Sequence, residues 1–250
     1  MNSLRRKGGY GDFGVIAKRY ASGRRGFPKE VFSLIEKRAG RKGTMILDIG
    51  CGTGIATREL RQFGTVVGTD IDLEMLAQAF SGSRDTMYVR APAEKLPFPD
   101  AVFDVVTSFS AFHWFANTQA LGEIARVLKP KGYFFVVNKN DRPGGLREKY
   151  RILLSKFVNR PLPSAKEKYK PVVLLKKRFS EVRESIVPTQ ETFTLKEAEA
   201  YLASTSVSNL VPRKDISSAR QATAKLLRGM AKNGKVTREM NVVVISGRKK

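Results

Sequence analysis

The 250-residue chain predicts an α/β fold, a doubly wound and mostly parallel sheet with helices on both faces. Three observations carry this. From Ile46 to Leu60 the sequence passes from an apolar strand (with Met45, Ile46, Leu47 and Ile49) through the alternate glycines Gly50, Gly52 and Gly54 into a helix-period pattern of Ile55, Ala56, Leu60 and Phe63. Apolar strands and amphipathic helices then alternate as far as Asn140. Acidic residues stand where such a fold meets its ligand, Asp48 just before the glycines and Asp70 at the end of the second strand.

Taken in order, residues 1–27 form a basic lead-in, within which Ile16, Ala17 and Tyr20 fall at helical spacing before breaks at Gly23 and Gly26. Pro28 suits the first position of the next helix, which buries Val31, Phe32 and Ile35. The glycine loop follows, and its spacing decides the ligand. A dinucleotide fingerprint needs G-x-G-x-x-G, and Ile55 occupies the place of its third glycine. The Asp48 carboxylate repels a nearby pyrophosphate and attracts an ammonium group. S-adenosylmethionine ends in an ammonium and a carboxylate, and the second suits a helix N-terminus. Asp48, Gly50, Gly52 and Gly54 resemble motif I of the class I S-adenosylmethionine-dependent methyltransferases, D/E-x-G-x-G-x-G. That resemblance implies a Rossmann-like, seven-stranded sheet whose last strand is antiparallel. It makes Asp48, Gly50, Cys51, Gly52 and Gly54 cofactor contacts, with Cys51 a small residue in a tight place; a glycine turn without a ligand is the other reading of the same stretch.

Val66 and Val67 belong to the second buried strand, and the two carboxylate oxygens of Asp70 suit two ribose hydroxyls. Ile71 beside it offers apolar contact to an adenine, and Asp72 caps a helix from Leu73 to Phe80. Met87 to Phe115 holds the third and fourth strands. The run A-E-x-L-P-F-P-D-x-x-F-D-x-V, beginning at Ala93, matches the same family. The family commonly has an Asp before the Ala-Glu pair to bind the adenine amino group, and Pro92 stands there instead. Adenine recognition then rests on the backbone of Ala93 and Glu94 and on Ile71.

The fourth strand is expected to end in His113 and Trp114, the only His and only Trp of the chain. Strand C-termini face the ligand crevice, so His113 is the candidate general base and Trp114 a candidate acceptor contact, with a structural histidine as the alternative. The next helix shows Leu121, Ile124, Ala125 and Leu128 on one face, stops at Lys129 to Gly132, and leads into the fifth strand, YFFVV. A sixth strand is expected between Val182 and Phe193, capping boxes at Thr194/Glu197 and Ser218/Gln221, and a last strand from Met240 to Arg248. One domain over residues 1–250 accounts for the whole pattern, with residues 141–179 a basic, partly amphipathic insertion between the fifth and sixth strands; the resemblance implies a substrate-covering helical cap there. By the further resemblance to small-molecule methyltransferases related to trans-aconitate methyltransferase, residues 1–27 form a lid. Tyr20 and Arg24 are then candidates for the active-site mouth, with a helix that only packs on the sheet edge as the alternative.

The formal charge is +23. Residues 1–45 carry 12 Lys/Arg against 3 Asp/Glu, residues 46–140 carry 9 against 10, and residues 141–250 carry 25 against 10. Basic flanks around a neutral centre attract anions, either a small anionic methyl acceptor or a nucleic acid backbone, unless they serve only solubility. The lone Cys51 excludes a disulfide framework and a cysteine-based metal site, so no metal is expected. With no span of roughly 18 apolar residues and no apolar leader, a cytoplasmic protein without membrane attachment is expected. Pyrimidine C5 methylation needs a cysteine nucleophile, which the loop residue Cys51 does not offer. The Asn/Asp-Pro-Pro-aromatic motif of amino-group methylases is replaced by Ser108, Phe109 and Ser110. The expected activity is methyl transfer from S-adenosylmethionine to a small acceptor, with an RNA acceptor or a non-catalytic binding protein as alternatives.

Overall fold

The structure is a computed structural model that describes residues 12–40, 43–158, 161–163 and 169–250. Within them the elements run α1 (Ala17–Gly23), α2 (Lys29–Ala39), β1 (Thr44–Ile49), α3 (Ile55–Leu60), β2 (Gly64–Asp70), α4 (Leu73–Gly82), β3 (Met87–Arg90) and β4 (Phe103–Phe109). They continue with α5 (Thr118–Val127), β5 (Leu128–Asp141), α6 (Leu146–Ser155), α7 (Pro171–Lys176), β6 (Phe179–Thr194), α8 (Leu195–Ala203), α9 (Ile216–Met230) and β7 (Lys235–Lys249). The seven strands form one mixed sheet in the order β3-β2-β1-β4-β5-β7-β6, with the last strands antiparallel. The fold class is the expected one.

β1 is parallel to β2, with Ile49 opposite Thr69, and parallel to β4, with Asp48 opposite Thr107. This order reverses direction of growth at β1, so the crevice at the C-terminal ends of β1 and β4 is the switch point where ligands of open α/β sheets bind. Side chains alternate across the sheet. Leu47, Val106, Phe134 and Val136 enter one buried layer with Leu121 and Ile124 of α5, while Ile46, Val105, Phe135 and Val137 enter another with Val31, Phe32 and Ile35 of α2. Strands buried on both faces read as continuous apolar runs, which is why the pattern was legible. Each buried phenylalanine or leucine contributes about 1.5–3 kcal/mol of transfer free energy.

The chain divides into two compact units: one comprises residues 26–140, 165–187 and 241–250, the other residues 1–25, 141–164 and 188–240. The first holds both layers just described. The second has its own core, in which Leu146, Tyr150 and Leu154 of α6 meet Phe193, Tyr201, Leu202, Leu227 and Val236. Residues 1–11 of the basic lead-in and 159–160 and 164–168 of the 141–179 segment lie outside the described residues. Of the rest of that segment, α6 belongs to the second unit and α7 to the first.

Several boundaries differ from those expected. Pro28 is the N-cap of α2, one place before the helix, because its extended ψ of 146° leads the chain in from outside. α5 stops at Val127, and Leu128 already belongs to β5. The Lys129–Gly132 stretch is therefore an irregularity inside a strand: Lys131 takes a left-handed φ of 65°, and Gly132 passes so close to Asp104 that a Cβ would sit 2.9 Å from its carbonyl oxygen. β4 ends at Phe109, and His113 and Trp114 stand in a separate 3₁₀ turn, Phe112–Trp114. β6 and β7 are each longer than expected. The capping box at Thr194 and Glu197 forms, whereas Ser218 lies inside α9, which is entered directly from a 3₁₀ turn, Arg213–Asp215, and has no side-chain cap.

Candidate functional site

The turn after β1 is built by three left-handed glycines, Gly50 (φ 69°), Gly52 (φ 55°) and Gly54 (φ 73°). Only glycine takes such angles without steric cost. Neighbours press on the same positions: a Cβ on Gly50 would lie 2.5 Å from the Ala111 Cβ, one on Gly52 3.0 Å from the Met75 Cε, and one on Gly54 2.7 Å from the Tyr88 hydroxyl. The loop amides are turned inward. Gly50 N and Cys51 N donate to the Thr69 carbonyl at 2.8 and 2.9 Å, Gly52 N to Asp70 Oδ2 at 2.8 Å, and Gly54 N to the Cys51 carbonyl at 2.9 Å. A ligand on this loop therefore meets bare glycine backbone rather than these four N–H groups.

Asp70 closes the arrangement from the end of β2. Its Oδ1 accepts from Asp72 N at 2.9 Å, so each oxygen has one bond within the chain and keeps acceptor capacity for a ligand hydroxyl. Burial raises its pKa, and the amides of Asp72 and Gly52 pull it back. Asp72 caps α4, its Oδ1 accepting from Glu74 N and Met75 N. Asp48 lies fully buried beneath the loop. Thr57 Oγ1 donates to its Oδ2 at 2.7 Å and Thr107 Oγ1 to its Oδ1 at 2.9 Å. Burial pushes the Asp48 carboxyl up to about 7, against the pull of those two hydroxyls. The Cys51 thiol is also raised well above its usual range by burial, with the carboxylates of Asp70 and Asp48 adding to the effect. It is a filler and no nucleophile.

Ile71 follows Asp70, and its carbonyl accepts from Arg90 Nε at 3.1 Å. Ala93 is buried, while Glu94 accepts from Asn117 Nδ2 at 2.8 Å and from Gln119 Nε2, through its carbonyl, at 3.2 Å. Pro92 begins a turn in which its carbonyl accepts from Lys95 N. The 3₁₀ turn after β4 sets the His113 ring 4.9 Å from the Trp114 ring and 6.0 Å, edge to face, from Tyr169. It is launched by Ser110, a non-glycine residue at a left-handed φ of 54°. Ser110 N donates to the Val137 carbonyl at 2.7 Å. Strain of this kind costs on the order of 1–3 kcal/mol and persists where the surroundings enforce it.

Residues 47–136 match the methyltransferase domain family. This is the stretch that carries the glycine loop, Asp70 and the turn at His113. Residues 47–136 form a class I S-adenosylmethionine-dependent methyltransferase domain. The chain is 34% identical over 139 residues to an uncharacterised methyltransferase of Mycobacterium tuberculosis, spanning 54% of this chain and 56% of that one. It is 37% identical over 122 residues to a malonyl-[acyl-carrier protein] O-methyltransferase of Pseudescherichia vulneris, spanning 48% and 49%. The chain thus spans about half the length of the curated relatives it matches. Among solved structures, it resembles one from Anaeromyxobacter dehalogenans assigned as a type II methyltransferase, with TM-score 0.69, 24% identity and coverage of 90% and 97%. It also resembles a phosphoethanolamine N-methyltransferase of Haemonchus contortus bound to phosphomonomethylethanolamine and S-adenosylhomocysteine, with TM-score 0.59, 20% identity and coverage of 100% and 60%. These structural likenesses establish the fold. The narrower resemblance to trans-aconitate methyltransferase is not among them.

The methyltransferase domain brings Asp48, Gly50, Cys51, Gly52, Gly54, Asp70 and Ile71 together around one loop, with Ala93, Glu94, His113 and Trp114 on the segments that follow β3 and β4 of the same unit. Tyr20 and Arg24 belong to the other unit. There the Arg24 guanidinium lies over the Tyr20 ring at 4.8 Å and the Tyr201 ring at 5.0 Å and donates to the Ser204 carbonyl at 3.1 Å. Sequence reasoning missed Thr57 and Thr107, which hold Asp48, and Tyr169 and Asn138 beside the His113 turn. A hydroxyl three residues after Gly54 was a usable signal for Thr57. Tyr169 had none, because its contacts come from distant segments. Among the described residues no cluster of His, Cys, Asp and Glu is suited to a metal ion, and no helix is long and apolar enough to cross a membrane.

Proposed function

We propose that the protein binds S-adenosylmethionine on the glycine loop and transfers its methyl group to a small anionic acceptor at the C-terminal ends of β4 and β5. The observation that carries this reading is the Asp70 carboxylate, pinned by Gly52 N and Asp72 N yet retaining an acceptor lone pair on each oxygen. That donor set fits the cofactor: Asp70 takes the ribose hydroxyls, and Asp48, with a lone pair left on each oxygen, takes the ammonium. Once bound, the cofactor supplies an electrophilic methyl group on a positively charged sulfur. The chain's own contribution is to align the acceptor and exclude water, and His113 takes the proton that the acceptor releases. Trp114 is a further acceptor contact in this reading, and a cytoplasmic location belongs to it.

Calorimetry tests the cofactor half. S-adenosylmethionine or S-adenosylhomocysteine should bind, and Asp70→Ala should weaken binding by about 1.5–3 kcal/mol, the range for hydrogen bonds to a charged group. Binding of NAD and of neither sulfur ligand would overturn the reading. A radiolabelled methyl-transfer screen over carboxylic acids, phenols, amines and total RNA addresses the acceptor. A second reading, an RNA acceptor, is favoured by one observation: the unit of residues 1–25, 141–164 and 188–240 carries 22 Lys/Arg against 8 Asp/Glu. It requires RNA affinity that falls steeply with salt, and no measurable binding at about 50 mM salt removes it.

A further inference from the structure

Beside the His113 turn lies a polar pair that the cofactor site does not use. Asn138, buried at 3% exposure near the end of β5, donates through Nδ2 to the Tyr169 hydroxyl at 3.3 Å. Its other amide atom, Oδ1, is buried with no hydrogen-bond partner, and so is the Oγ of Ser108 on β4. Ser108 is opposite Val136 in the parallel β4–β5 pairing, so Ser108 and Asn138, two residues beyond Val136, project from the same face of the sheet. Tyr169 packs edge to face on Phe112 and on His113, each at 6.0 Å between ring centroids. Burial keeps its phenol above the usual range, so the hydroxyl stays a neutral donor. Tyr169 itself is only partly buried, so the pair extends from the buried Asn138 to the protein surface.

A buried amide oxygen left unpaired is costly and is rare without a reason. With Nδ2 committed to Tyr169, the remaining atom is acceptor-only, and whatever satisfies it must bring a hydrogen. We infer that Asn138 and Tyr169 select and position the methyl acceptor, and that the group they select is protic, a hydroxyl or an amine presented towards His113. This rests on the proposed methyl-transfer function and narrows it. A carboxylate oxygen or a carbanion as the reacting atom offers no hydrogen to Asn138. The same contact favours release of an O-methylated product, since the hydrogen that Asn138 held in the bound hydroxyl has passed to His113 and the methyl ether offers none in its place. A fixed water bridging Asn138 and Ser108 is the other occupant the geometry allows, and it predicts no discrimination between ligands.

The test uses matched anionic probes on protein saturated with S-adenosylhomocysteine, saturation being checked first by calorimetry. The pairs are 4-hydroxybenzoate against 4-methoxybenzoate and 4-aminobenzoate against 4-(dimethylamino)benzoate. Binding is read from the indole N–H resonance of Trp114, the sole tryptophan. The protic member of each pair should bind about 10-fold more tightly or better, the equivalent of one well-formed hydrogen bond in place of an unpaired group. Asn138→Ala should erase that preference. Tyr169→Phe, which keeps the ring and removes the hydroxyl, should reduce it several-fold, and affinity for S-adenosylhomocysteine should hold in both variants. Equal binding within each pair in the wild type, a preference that survives Asn138→Ala, or no shift of Trp114 with any probe overturns the inference. Failure to bind S-adenosylhomocysteine at the outset instead overturns the proposed function on which it rests.

Discussion

Asp48 is the residue where stability and binding oppose each other. Its carboxyl is buried, raised to about 7 from an ordinary 3.8, and held by Thr57 and Thr107. The sign follows from which state holds the proton. Between 3.8 and 7 the folded protein binds the proton more tightly than the unfolded chain does, so the ionised carboxylate costs stability above pH 7. That cost shrinks as pH falls through 7 and is gone below about pH 4, where both states are protonated. At about 1.4 kcal/mol per unit, the burden is a few kcal/mol at most. Asp48→Asn should therefore raise the stability of the ligand-free protein by ~2–4 kcal/mol at pH 8, with the gain fading towards pH 4, as followed by urea denaturation. The same substitution should weaken S-adenosylmethionine binding, because the ammonium loses its counter-charge. His113 is read by kinetics. His113→Ala should lower methyl transfer about 100-fold or more with cofactor affinity nearly intact. Full activity in the variant assigns the histidine to structure, and loss of the cofactor assigns it to the core.

Among the elements, α8 shows how a local signal survives into the structure. Thr194 Oγ1 accepts from Glu197 N at 3.3 Å, and Glu197 Oε2 accepts from Thr194 N at 2.8 Å, closing the reciprocal box read from the sequence. Backbone and side-chain bonds from Thr194 hold the Glu197 carboxyl below its usual range. Thr194→Ala should cost about 1 kcal/mol, seen as a lower midpoint with an unchanged slope in denaturant. The β4–β5 pairing shows the opposite. Its register breaks between Phe103 and Val105, where Lys131 and Gly132 bend the incoming strand. The L-K-P-x-G sequence reads as a helix stop, and the residues after the stop are already in the sheet. Turn chemistry marks where periodicity ends; it does not say whether the residues beyond it pair with a strand, because pairing depends on a partner distant in sequence.

For the whole molecule, the unit of residues 1–25, 141–164 and 188–240 is tied together by a buried arginine. Arg238, 2% exposed, gives two bonds to Asp141 at 2.6 and 2.8 Å and one to Glu191 at 2.9 Å, with its guanidinium 4.8 Å from the Tyr201 ring centroid. Removing it takes the shared guanidinium from two largely buried carboxylates, although Asp141 keeps an ion pair with Arg147 at 3.8 Å, so Arg238→Ala should cost about 3 kcal/mol. Arg238→Met, which refills the volume, should lose less if packing matters as well as charge; chemical denaturation of both variants measures the difference. Nothing in the sequence joins these residues, since Asp141, Glu191 and Arg238 are brought together only by strands β5, β6 and β7.

By itself the sequence determined the fold class, the glycine loop with its left-handed turns, Asp70 at a strand end, and the caps at Asp72 and Thr194. Each depends on residues close together in the chain, where backbone angles, periodicity and side-chain reach act within one or two turns. Tertiary structure alone decided what surrounds those residues. Thr107 reaches Asp48 from a neighbouring strand, Ala111 and Tyr88 press on Gly50 and Gly54, and Tyr169 arrives from beyond β5 to bond Asn138. The loop amides turned out to be spent on Thr69 and Asp70, so the loop presents its glycine backbone and not those donors. Contacts of this kind are selected by packing between segments far apart in sequence, which leave no period, spacing or motif behind them.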